Sequence, residues 1–157
     1  MGRQVIDPAR QARLLTALYI AQEQKGYLTP EALERVARRL GLPPASVYST
    51  TSFYTLFRTR PVGRYLLQVC RGLSCYLADG AERLVDYLQR KLGIQVGETT
   101  ADGLFTLETV QCLASCGTAP AMRVNDELYE NLTTAKVDLL IDELIERAEQ
   151  WAALSRS

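Results

Sequence analysis

Apolar residues recur at helical spacing through the first third of the chain, at Leu14, Leu15, Leu18 and Ala21 and again at Leu33, Val36 and Leu40. That interval places one stripe of a 3.6-residue helix against a core. Asp7-Pro8, Thr29-Pro30 and Pro43-Pro44 mark three helix starts. Asp7 and Thr29 read as N-caps and the proline after each as the first helical residue, where its missing N–H is not needed. Gly41 ends the second helix, since glycine takes the left-handed cap conformation without penalty. The third helix is predicted from Ala45 to Phe57 and brings Val47, Phe53, Tyr54 and Phe57 to the same small helical unit.

The period changes after Arg60-Pro61-Val62-Gly63, a breaker run that marks a domain boundary. Tyr65-Leu66-Leu67-Gln68-Val69 is short, apolar and bounded by turn residues, so it predicts a buried strand that delivers Cys70 at its end. Helical spacing returns over 79–92 through Leu84, Val85, Tyr87, Leu88 and Leu92. Phe105, Leu107 and Thr109 alternate as a second strand that stops before Cys112, and residues 120–124 and 127–129 flank Asn125-Asp126 as a hairpin. Val137, Leu140, Ile141, Leu144 and Ile145 share one face of a closing helix. The order predicts an α+β chain: a helical bundle over 1–60, then a domain over 61–157 in which helices cover a small sheet.

Composition narrows the class. The 157 residues are 47% hydrophobic and 23% charged, as in an ordinary globular protein. No apolar run approaches the length of a membrane span, and the start MGRQVIDPARQ is too polar for a signal peptide, so a cytoplasmic protein with no direct membrane insertion is expected. Residues 1–71 carry eleven Lys/Arg against four Asp/Glu, while residues 72–157 carry seven against fourteen. The basic residues are scattered and no nucleic-acid motif accompanies them, so no nucleic-acid partner is expected. Arg58, Arg60, Arg64 and Arg71 are the densest local positive charge and a candidate surface for an acidic protein face.

The candidate chemistry is four cysteines, Cys70-x4-Cys75 and Cys112-x3-Cys116, in a chain without histidine. In a reducing compartment grouped thiols are more often metal ligands or redox catalysts than disulfides. A dithiol redox site wants C-x-x-C at a helix start, which is absent. Buried unligated cysteines fit poorly in loops holding Gly72, Ser74, Ala114, Ser115, Gly117 and Thr118. Structural zinc favours tighter pairs, although x4 lies within its range. A 2Fe-2S cluster takes four thiolates over two irons and suits two separated loops, and small neighbours leave backbone N–H groups free to approach sulfur. The cluster and zinc both remain open on spacing alone, and the lack of histidine excludes Rieske-type and Cys/His zinc sites.

Longer motifs accompany the cysteines: Cys70-Arg-Gly-Leu-Ser-Cys75, Gly97-Glu98-Thr99-Thr100-Ala-Asp102-Gly103-Leu-Phe105, and Gln111-Cys112-Leu113-Ala-Ser-Cys116-Gly117-Thr-Ala119-Pro120. With them stand Gly26-Tyr27-Leu28, Ser52-Phe53-Tyr54-Thr55-Leu56-Phe57, Val124-Asn125-Asp126-Glu127-x-Tyr129 and Asn131-Leu132-Thr133. Together they resemble the thioredoxin-like 2Fe-2S ferredoxin family, and within it the small flavoprotein-fraction subunits of NADH:quinone oxidoreductase, respiratory complex I. The resemblance runs from Gln11 to Ile145.

The resemblance implies a thioredoxin-like second domain in which Cys70 and Cys75 ligate one iron and Cys112 and Cys116 the other. It implies an electron-transfer subunit docked on a larger flavoprotein that holds FMN and binds NADH, among other peripheral-arm subunits at the inner face of the cell membrane. The same module serves NAD-linked formate dehydrogenases and NAD-reducing or bifurcating hydrogenases, which stand as alternatives; a zinc-stabilised interaction domain is the alternative of another class. The chain shows no Rossmann fingerprint of its own. No catalytic residue is expected either, because Ser74 and Ser115 have no histidine base to activate them. Two departures from the family pattern stand out: Gln111 where Glu is usual, and Ala114 where Gly is usual.

Overall fold

The computed structural model describes residues 8–78 and 80–154. The chain divides after Val62 into two compact units. The first holds α1 (Pro8–Glu23), α2 (Pro30–Leu40) and α3 (Pro44–Phe53). Thr29 caps α2 as its sequence implies, its hydroxyl accepting from the Ala32 N–H at 3.2 Å, and Gly41 closes the helix at φ 62°. The expected cap at Asp7 lies outside the described residues. Leu14, Leu18, Leu28, Leu33, Val36, Val47 and Phe57 form the core.

Two details differ from expectation. Leu15 and Ala21 are only half-buried, and Gln22 is buried in their place. Its amide is satisfied at both ends, donating to Leu56 O at 3.1 Å and accepting from the Arg58 N–H at 2.7 Å. The third helix stops at Phe53 rather than Phe57. Its tail is a Ser/Thr run whose hydroxyls bond back into the helix, Thr50 to Ser46 O and Thr51 to Val47 O, a pattern that weakens helices. Phe57 therefore reaches the core from a turn, while Phe53 stays 77% exposed and Tyr54 is exposed beside it.

The second unit is built on a four-stranded sheet of β1 (Tyr65–Cys70), β2 (Phe105–Val110), β3 (Met122–Val124) and β4 (Glu127–Tyr129), in spatial order β2-β1-β3-β4. β1 runs parallel to β2, and β3 is antiparallel to both β1 and β4. A short helix α4 (Leu73–Leu77) follows β1, then come α5 (Ala81–Leu92) and, after β4, α6 (Thr134–Leu154). Leu67, Val69, Phe105, Leu107, Met122 and Val124 alternate onto the face where Leu84, Leu88, Val137, Ile141 and Leu144 pack. The hairpin turns at Asn125, whose φ of 53° is one that asparagine tolerates.

The other sheet face carries a polar row across three strands. Gln68 pairs in register with Glu108 on one side and Arg123 on the other. Its amide donates to Glu108 at 3.0 Å and accepts from Arg123 at 2.6 and 3.0 Å, which satisfies a glutamine that is otherwise buried.

Candidate metal centre

The register of β1 and β2 decides where the cysteines meet. Cys70 ends β1 directly beside Val110, which ends β2. Both cysteine loops therefore leave the sheet from the carboxyl edge of adjacent parallel strands, the edge at which open α/β sheets gather their functional loops. The second loop returns past the first: the Cys70 N–H donates to Ala121 O at 3.1 Å, and the Arg71 N–H donates to Val110 O at 2.8 Å.

The first pair is built into the core. Cys70 is 4% exposed and Cys75 3%, packed with Ala81 and Ala121. Cys75 reaches this position on α4, and the Gly72 N–H that precedes the helix donates to Cys70 Sγ at 3.5 Å. Burial pushes the Cys75 thiol up from its ordinary range; the Cys70 and Cys116 sulfurs push it further, and the Ala121 backbone N–H opposes them. A thiolate in that position calls for a compensating cation, which a bound metal supplies.

The second pair sits on an irregular loop and is exposed. Ala114 stands at φ 60°, the left-handed region that disfavours a side chain, and this backbone turn aims its N–H at Cys112 Sγ, 3.2 Å away. A 3₁₀ turn, Cys116–Thr118, carries the last cysteine. The Ser115 and Thr118 hydroxyls both bond Glu130, and they hold its carboxyl below the ordinary range.

Gly72 measures how closely the loops approach. A Cβ there would stand 3.4 Å from Cys70 Sγ, 3.7 Å from Cys112 Sγ and 3.2 Å from Gln111 O. Residue 72 therefore lies between two cysteines from different loops, where a side chain would touch both sulfurs and press on the Gln111 carbonyl. Gly80 performs the same service between α4 and α5, where a Cβ would overlap Pro120 on the second loop, 1.8 Å from its Cγ. Among the described residues no three His, Cys, Asp or Glu side chains are grouped to hold one ion by themselves. The donor set is instead two thiol pairs on facing loops, with backbone N–H groups directed at sulfur, and these features fit a 2Fe-2S cluster.

All four cysteines singled out in the sequence come to this one edge of the sheet. Sequence reasoning missed α4, the left-handed turn at Ala114 and the part played by Glu130. The short apolar run Leu73-Ser-Cys-Tyr-Leu77 after a glycine is the one signal that pointed to α4. Two of the four arginines in the candidate partner surface are engaged within the unit: Arg71 pairs with Glu82, and Arg64 lies over the Trp151 ring, 4.8 Å from its centre.

A mixed sheet with helices on its face and two thiol-bearing loops at its carboxyl edge defines an α+β protein of the thioredoxin-like class. The family model for the thioredoxin-like 2Fe-2S ferredoxins matches residues 4–145, and the chain belongs to that family. It is 45% identical over 150 residues to an NADH-quinone oxidoreductase subunit of Rhizobium meliloti, covering 96% of this chain and 88% of the relative. With NADH-quinone oxidoreductase subunit 2 of Thermus thermophilus it shares 47% identity over 133 residues, 84% of this chain and 73% of that one. Among solved structures it is similar to an NAD+-reducing NiFe hydrogenase in the air-oxidized state, with a TM-score of 0.74 and 29% identity. That match covers 88% of this chain and 24% of the hydrogenase chain, so the chain spans about a quarter of its length.

Proposed function

We propose that this chain is the 2Fe-2S electron-transfer subunit of an NADH:quinone oxidoreductase. The observation that carries the reading is the approach of thiols from two loops far apart in sequence at the carboxyl edge of two adjacent parallel strands, Cys70 and Cys112 across Gly72 and Cys75 with Cys70 and Cys116. Cys70 and Cys75 would hold one iron, and Cys112 and Cys116 the other. When bound, the cluster supplies a one-electron redox couple.

The chain's own residues do the rest. The Gly72 and Ala114 N–H groups donate to Cys70 and Cys112 sulfur and stabilise negative charge there, which favours the reduced state. Burial of Cys70 and Cys75 keeps water from one side of the site, while the exposed Cys112 and Cys116 bring the other side to the surface, where a redox partner approaches. Leu73, Tyr76 and Leu77 on α4 form an exposed apolar face next to Cys75. That face suits a docked protein subunit, and we assign it to the larger flavoprotein that holds FMN and binds NADH. No helix among the described residues is long and apolar enough to cross a membrane, so attachment to the inner face of the cell membrane would run through the rest of the complex.

Low-temperature EPR of the dithionite-reduced protein, with iron and acid-labile sulfide analysis, tests the reading. An S = 1/2 signal with two irons and two sulfides per chain supports it; zinc without sulfide overturns it. A second reading, the corresponding module of an NAD+-reducing hydrogenase, is favoured by the structural likeness alone. The higher identity over nearly the whole of a quinone-oxidoreductase subunit favours the first. The large subunit that co-purifies from the native host separates the two.

A further inference from the structure

The second cysteine loop is closed by a residue that belongs to neither loop. Glu130 lies immediately after β4, beyond the hairpin. The Ser115 hydroxyl donates to its carboxylate, and the Thr118 hydroxyl donates to the same oxygen at 2.5 Å. The two hydroxyl oxygens lie 2.6 Å apart on either side of Cys116 in the sequence. Each hydroxyl has a single proton to give, and an ionised carboxylate, which only accepts, can take both. The adjacent backbone joins the contact, with the Asn131 N–H donating to Thr118 O at 2.8 Å.

This arrangement bears on an exposed cysteine. Cys116 stands on a three-residue 3₁₀ turn and lacks the packing that holds Cys75. We propose that Glu130 is a positioning residue for the metal centre: by bonding Ser115 and Thr118 it fixes the turn that presents Cys116, and it sets a negative charge on that turn. The inference rests on the 2Fe-2S reading of the four cysteines. It predicts two separable effects. The hydrogen bonds govern how well the cluster is retained, as outer-shell contacts do at other metal sites. The charge lowers the midpoint potential, because it disfavours an added electron nearby.

The test uses the full chain and the variants Glu130→Gln, Glu130→Ala and Ser115→Ala/Thr118→Val. Four quantities are read: iron and sulfide content, the rate of iron release to a chelator, the EPR g values with the midpoint potential, and the melting temperature of the metal-free protein. Glu130→Ala and the double variant are expected to release iron at least about tenfold faster than the parent, within the range for lost outer-shell partners. Glu130→Gln keeps an accepting oxygen and is expected to stay near the parental release rate while its midpoint rises. All metal-free forms should melt together. The proposal is overturned if Glu130→Ala matches the parent in release rate, g values and midpoint. It is overturned equally if its cluster loss is accompanied by collapse of the metal-free fold while the double variant holds iron as the parent does. A parent that carries no iron and sulfide removes the cluster reading itself, an outcome distinct from either of these.

Discussion

The two cysteine loops carry the same ligands and hold them by different means. Cys70 and Cys75 are set by the sheet and α4, buried among Ala81 and Ala121. Cys112 and Cys116 are exposed, and their loop is shaped by a left-handed residue and a hydroxyl–carboxylate contact. The difference teaches that one side of the site forms with the hydrophobic core, whereas the other is an addition to the surface held by polar contacts. Folding stability and metal retention should therefore respond to different residues.

The largest expected effects come from the cysteines themselves. Cys75→Ser and Cys116→Ser should both abolish the two-iron cluster, seen as loss of the EPR signal. In metal-free protein they should diverge. Serine at the buried position places a hydroxyl in an apolar setting and is expected to cost about 1–3 kcal/mol, whereas serine at the exposed position should stay within about 0.5 kcal/mol. Equal losses in denaturant titrations would break the contrast between a core-built pair and a surface pair.

Gly72→Ala probes the gap between the loops. Its Cβ meets sulfur at ordinary van der Waals distance but presses on Gln111 O at 3.2 Å. Metal-free stability should change little, and iron affinity in a chelator competition should fall about tenfold or more, on the scale of outer-shell changes. Unchanged affinity would mean that the loops part freely.

Ala114→Gly acts in the opposite direction. Removing the side chain at φ 60° relieves a left-handed strain worth about 1 kcal/mol. The expected result is slower iron release to a chelator, with the EPR g values unaltered. Faster release would show that loop entropy outweighs backbone strain here.

Gln111→Glu is the smallest change. It adds a charge at an exposed position next to Cys112 and should lower the midpoint slightly. A redox titration with an equal or higher midpoint rejects that electrostatic account.

Much of the fold was legible because local signals agreed with tertiary demands. Thr29, Pro30 and Gly41 bound α2 through backbone chemistry that acts within a single turn. The strands at Tyr65 and Phe105 show in short apolar or alternating patterns, and Leu66, Leu67 and Val69 of the first and Phe105 and Leu107 of the second are buried, with Tyr65 and Val110 at the strand ends only partly so. The third helix ends earlier than its spacing implies because spacing alone does not register the back-bonding of its Ser/Thr tail. Phe53 and Tyr54 then look like core in the sequence, although they face outward.

The sequence by itself determined the caps of α2, the turn at Asn125 and the inventory of four thiols without histidine. These depend on residue type and on neighbours a few positions away. Only the tertiary structure decided that the two cysteine pairs meet, which pair is buried, and that Glu130 reaches Ser115 and Thr118. The meeting of the pairs follows from the pairing of β1 with β2, the burial of Cys75 from the packing of α4, and the reach of Glu130 from the pairing of β3 with β1 and β4. Strand register is a property of the packed sheet, settled by which side chains share a buried face, and no stretch of the chain encodes it alone.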